Sequence, residues 1–107
     1  MHRSRQSVHF ASPLERDFLL WVDFELDVKS VTHEPVTLRN ETANKVWRQY
    51  TPDYLVEFAP AAKRRPLLVE VKPRDVLERD WPIWRLKFKA AFKHARENDW
   101  TFKIFHE

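Results

Sequence analysis

The sequence predicts an α/β fold, a mixed β-sheet flanked by helices in the order α-β-β-β-β-α-β. Three observations predict it. Apolar residues recur at helical spacing in one segment near each end of the chain. Between them lie short extended runs separated by Pro, Asn and Asp turns. The last run, TFKIF, alternates apolar and polar residues after the second helix, as a strand returning to the same sheet would.

In chain order, residues 1–11 read as a basic N-terminal arm carrying Arg3, Arg5 and two histidines. Residues 12–107 read as one domain, which suits a chain of 107 residues. Ser12-Pro13-Leu14-Glu15 is a helix start: Ser12 can cap, Pro13 suits the first helical position, and Glu15 falls where a capping box would use it. Leu14, Phe18, Leu19, Trp21 and Val22 then form the apolar stripe of a helix over 13–25. Residues 28–39 turn extended, with Pro35 marking either an edge strand or a break between two short strands. Asn40–Asn44 is a polar turn, and Lys45–Tyr50 a further short strand.

Tyr54–Phe58 and Leu67–Lys72 are the two central strands, joined by APAAKRRP. Pro73 ends the second, and Arg74–Asp80 suits a helical turn. A second helix covers 81–98, with Trp84, Phe88, Ala91, Phe92 and Ala95 on one stripe. Thr101–Phe105 closes the sheet.

Composition removes several function classes. The chain has no glycine, which excludes the glycine-dependent phosphate loops and dinucleotide fingerprints. It has no cysteine, hence no disulfide framework and no thiolate metal site. The apolar runs are too short to span a bilayer and no signal-peptide core is evident, so a cytoplasmic protein is expected. A net charge of +3 and a pI near 9.4 are compatible with a polyanionic partner.

The chemistry concentrates in TPDYLVEFAPAAKRRPLLVEVKP. A hairpin-like pairing of its two strands places Asp53 beside Glu70. Strand alternation puts Glu70 and Lys72 on one face, with Val69 and Val71 on the other. Two carboxylates and a lysine at one strand end suit a hard cation such as Mg²⁺ and the hydrolysis of a phosphodiester. A glutamate inside LLVEV is costly to bury unless a metal or lysine compensates it. Two bland alternatives stand beside this reading: Asp53 as a turn residue after Pro52, and Glu70 with Lys72 as an exposed ion pair. Glu15 has two readings as well, a capping box with Ser12 or a ligand facing the sheet. Lys63, Arg64 and Arg65 in the loop, and Lys87, Lys89 and Lys93 on the second helix, are either solvated surface or DNA contacts.

SPLERDFLLWVDFE, VTHEPVTL, YTPDYLVEF and LLVEVKP, in this order and spacing, resemble the N-terminal catalytic domain of the TnsA transposon endonucleases. These belong to the PD-(D/E)xK nuclease superfamily, so the resemblance implies a restriction-endonuclease-like fold over residues 12–107. It implies that Glu15, Asp53 and Glu70 are metal ligands with the Val71 backbone carbonyl, and that Lys72 is the catalytic lysine. It further implies Mg²⁺-dependent cutting of DNA, with Mn²⁺ substituting. In transposition, the TnsA subunit cuts the 5′ ends of the element beside a DDE transposase, TnsB.

The family implies a prokaryotic or phage-encoded mobile-element setting, and a homodimer would supply two cuts. Transposon TnsA proteins continue into a winged-helix-like second domain, whereas this sequence runs to Glu107. A stand-alone phage or repair nuclease therefore remains an alternative, as does a non-catalytic DNA- or protein-binding module on the same fold.

Overall fold

The computed structural model describes residues 4–5, 12–42 and 44–107. The basic arm lies outside the described residues except for the backbone of Ser4–Arg5. Those two residues form β1, which pairs parallel with β2. Helix α1 spans Pro13–Phe24, and the strands that follow are β2 (Val28–His33), β3 (Leu38–Glu41), β4 (Trp47–Tyr50), β5 (Tyr54–Phe58) and β6 (Leu67–Val71). A 3-10 turn at Pro60–Ala62 lies between β5 and β6. Helices α2 (Arg74–Arg79) and α3 (Trp81–Glu97) then lead to β7 (Thr101–Phe105).

The class matches the sequence reading, a mixed sheet between helices, but the strand count differs. The extended run over 28–39 is two strands, so of the two readings of Pro35 the break holds and the element order gains a strand. Pro35 has no N–H for a ladder, and Glu34 takes a left-handed conformation at φ 50°, so pairing stops and restarts. The second difference is that β3 and β4 leave the main sheet. Among the described residues they pair only with each other, Leu38 opposite Tyr50 and Glu41 opposite Trp47. The main sheet has the order β1-β2-β5-β6-β7, with β6 and β7 parallel and β2, β5 and β6 antiparallel. Asn40 and Glu41 belong to β3, so the polar turn starts later than the sequence suggests.

Without glycine the turns take their left-handed positions from other residues: Glu34, Lys45, Lys63 and Asp99 have φ between 50° and 60°. Such positions cost a non-glycine residue roughly 1 kcal/mol each.

Each sheet face has its own core. Phe18, Leu19 and Val22 of α1 pack on Val28, Val31, Tyr54, Val56, Val69 and Val71. On the other face Leu68 meets Ala91 of α3 together with Leu38 and Tyr50 of the separate hairpin. The fold is therefore three layers, with the β3–β4 hairpin sharing the α3 layer. Among the described residues no helix is long and apolar enough to cross a membrane.

Candidate active site

The register of the central hairpin brings the acids together. Tyr54 lies opposite Val69, Leu55 opposite Leu68 and Val56 opposite Leu67. Extending that ladder one step sets Asp53 opposite Glu70, on the face that carries Leu55 and Leu68. The Asp53 carboxylate accepts a 2.7 Å hydrogen bond from the Val71 backbone N–H, which fixes it across the strand end. It also lies within hydrogen-bonding contact of the Glu70 carboxyl.

Glu70 is only 2% exposed, as its position inside LLVEV suggests. Burial first, and then the neighbouring Asp53, push its pKa up to about 9. Two features pull the other way, though less strongly. The Tyr50 hydroxyl donates to Glu70 Oε1 at 2.6 Å, and Lys72 Nζ lies 3.8 Å from Glu70 Oε2. Tyr50 is itself buried at the end of β4. Its own pKa is pushed up by burial and by Glu70, so it stays a neutral donor.

Lys72 has a second neighbour. Its Nζ sits 4.6 Å from the centre of the Trp84 ring on α3, and Lys87 Nζ lies at the same distance from that ring. Lys87 is also 5.7 Å from the Tyr50 ring. An indole face attracts an ammonium group electrostatically, so Trp84 restricts where Lys72 can point. Tyr50 and Trp84 pack edge to face, 6.3 Å apart.

Glu15 is buried on the opposite face. Ser12 caps α1 by accepting from the Glu15 N–H, but the Glu15 side chain does not complete the box. Its Oε2 accepts instead from the Tyr54 hydroxyl at 3.0 Å, beneath α1. Neighbouring strand positions point to opposite faces, so Tyr54 carries Glu15 to the side away from Asp53 and Glu70. Among the described residues no three Asp, Glu or His side chains gather closely enough to hold one ion. The structure thus brings Asp53, Glu70 and Lys72 together and leaves Glu15 joined to the same strand end through Tyr54.

The two predicted basic groups divide. Lys63, Arg64 and Arg65 lie in the β5–β6 connection, at the other end of the hairpin from the acids. That separation is roughly five residues of strand, or about 17 Å. Arg64 spreads its guanidinium 4.0 Å over the Phe58 ring. Lys87 stands beside the site, and Lys89 and Lys93 line a groove where α3 faces the β3–β4 hairpin.

Tyr50 and Trp84 are the site residues that sequence reasoning missed. A buried tyrosine calls for a hydroxyl partner, but nothing in the spacing names a glutamate twenty positions on. Trp84 was legible only as one more apolar residue of a helical stripe.

Asp53, Glu70 and the Val71 carbonyl offer only oxygen, the donor set of a hard cation. Two carboxyl groups in contact, one of them buried and holding its proton to about pH 9, form a pair that a cation would relieve. The residues present therefore fit a divalent metal. The sequence profile of the family described as TnsA-like endonuclease N terminal matches residues 25–107. The match takes in Asp53, Glu70, Val71 and Lys72 and begins after α1, so Glu15 lies outside it. No curated protein and no solved structure matches the chain significantly.

Proposed function

The chain belongs to the TnsA-like N-terminal endonuclease family, and from that premise we propose that it is a metal-dependent DNA endonuclease hydrolysing phosphodiester bonds. The observation that supports this most is the meeting of Asp53, Glu70 and Lys72 at one end of the β5–β6 hairpin. Asp53, Glu70 and the Val71 carbonyl would hold Mg²⁺ or Mn²⁺; the family resemblance adds Glu15 as a helix-borne ligand, for which its carboxylate would have to leave the Tyr54 hydroxyl and turn toward the ion. When bound, the ion neutralises phosphate charge and makes a water more acidic.

The protein's own groups do the rest. The Val71 N–H holds Asp53, and the Tyr50 hydroxyl holds Glu70, so both carboxylates are oriented before substrate arrives. Lys72, restrained by Trp84, orients the attacking water and faces the negative charge that builds on the phosphate. Water oxygen bonds to phosphorus as the bond to the 3′ oxygen breaks, leaving a 5′-phosphate and a 3′-hydroxyl. Lys87 stands where it can bind a neighbouring phosphate. Cutting both strands would use a second copy of the chain, and a role at transposon 5′ ends would add a DDE transposase partner.

The test is cleavage of supercoiled and branched DNA with Mg²⁺ or Mn²⁺, run beside Glu70→Ala. Cutting that needs the metal and disappears in the variant is the expected result. Equal cutting by a folded Glu70→Ala protein would sink the assignment.

A further inference from the structure

The β3–β4 hairpin stands outside the main sheet and faces α3. Two adjoining grooves run between them, of about 480 and 460 Å³, and Asn40, Thr42 and Leu86 line both. Cavities of this size take a ligand on the scale of a nucleotide.

The walls are charged for such a strand. The hairpin contributes Arg39 and Arg48, and α3 contributes Lys87, Lys89 and Lys93, against the acids Glu41 and Glu97. Trp47 lines the larger groove and is 55% exposed, which leaves its ring accessible there. The Arg39 guanidinium lies 5.0 Å from its ring centre. In the wall shared by the two grooves, Asn40 is buried and its Oδ1 has no hydrogen-bond partner among the described residues. Basic side chains along a groove with an exposed aromatic ring are the parts of a single-strand binding surface, in which phosphates follow the charges and a base stacks on the ring. The track is continuous with the site, because Lys87 shares the Trp84 ring with Lys72.

We propose that the groove between the β3–β4 hairpin and α3 binds a single strand of DNA leading to or from the acids, with Trp47 as the stacking platform for a base. The inference rests on the nucleic-acid reading of the site, but not on its catalysis.

The experiment is fluorescence anisotropy of a labelled oligo-dT with the full chain in EDTA, so that no cutting occurs. A duplex of equal length serves as the competitor. Trp47→Ala should weaken strand binding at least about fivefold, with Trp47→Phe retaining most of it. Lys89→Ala combined with Lys93→Ala should flatten the dependence of log affinity on log salt by about 1.4, roughly 0.7 per lost contact. Lys29→Ala, an exposed lysine on β2, should leave binding unchanged. Parental affinity in the folded Trp47→Ala and double-lysine proteins would overturn the proposal, as would equal affinity for duplex and strand, or no binding at all. Tight Trp47-dependent strand binding without cleavage in Mg²⁺ would uphold it and count against the catalytic reading alone.

Discussion

The Tyr50 hydroxyl donates to Glu70 Oε1 across 2.6 Å in the interior, tying a hairpin outside the main sheet to a carboxyl on its central strands. The bond favours the ionised carboxylate, so it opposes the upward push of burial and Asp53. Tyr50→Phe keeps the ring against Trp84 and removes only the donor. Hydrogen bonds to a charged group contribute about 1.5–3 kcal/mol. Apparent Mg²⁺ affinity at neutral pH should therefore fall about tenfold or more with little change in fold. Titration calorimetry or metal-dependent melting checks it; unchanged affinity would mean that the bond only packs the hairpin.

Glu15 can be separated from its structural duty. Its carboxylate accepts the Tyr54 hydroxyl, and a glutamine amide oxygen can accept the same bond. Glu15→Gln should melt within about 1 kcal/mol of the parent, in the range of a neutral hydrogen bond. If Glu15 ligates during catalysis, as proposed, the loss of its charge should reduce cleavage about a hundredfold. A Glu15→Gln enzyme that cuts at the parental rate would confine Glu15 to holding Tyr54.

How legible the molecule was in its sequence follows from which signals are local. The α1 start, the β5–β6 pairing and the Asp53–Glu70 juxtaposition rest on caps and strand alternation, which act over a few residues, and the structure has all three. The use of the Glu15 side chain was open between a capping box and a ligand facing the sheet, and the tyrosine hydroxyl that engages it is brought there only by the tertiary structure. The departure of β3 and β4 from the sheet was invisible because alternation marks a strand without naming its neighbour. The same gap hid Tyr50 and Trp84, whose roles depend on contacts between separate elements. The basic loop at Lys63–Arg65 shows the converse. Its charge is plain in the sequence, but the hairpin register sends it to the end away from the acids.

Trp84 should matter to rate more than to affinity. Its ring lies 4.6 Å from Lys72 Nζ, and a partly desolvated contact of this kind is worth about 0.5–2 kcal/mol. Trp84→Leu should lower kcat roughly 3- to 30-fold, with a smaller effect on KM, if Lys72 acts on the attacking water. Trp84→Phe should recover part of the loss because a phenyl face still attracts the ammonium. A pure packing role predicts instead that both variants change rate only in proportion to their loss of melting temperature.

Glu70 should make the metal-free protein less stable as pH rises. Its carboxyl is raised from about 4.5 to about 9 in the folded state, first by burial and then by Asp53. The folded chain therefore holds a proton that the unfolded chain releases between those values, and stability falls wherever the folded state binds more protons. The contribution is full below about pH 4.5, declines by up to about 1.4 kcal/mol per unit above it, and levels off beyond about pH 9. Melting in EDTA from pH 5 to 9 should slope downward, and Glu70→Gln, which cannot ionise, should remove much of that slope. Mg²⁺ would compete with the proton for the same oxygens, so it should raise the melting temperature more at pH 8 than at pH 5.5. An identical slope in Glu70→Gln would show that another group carries the titration. An identical Mg²⁺ effect at both pH values would show that the ion does not meet this carboxyl.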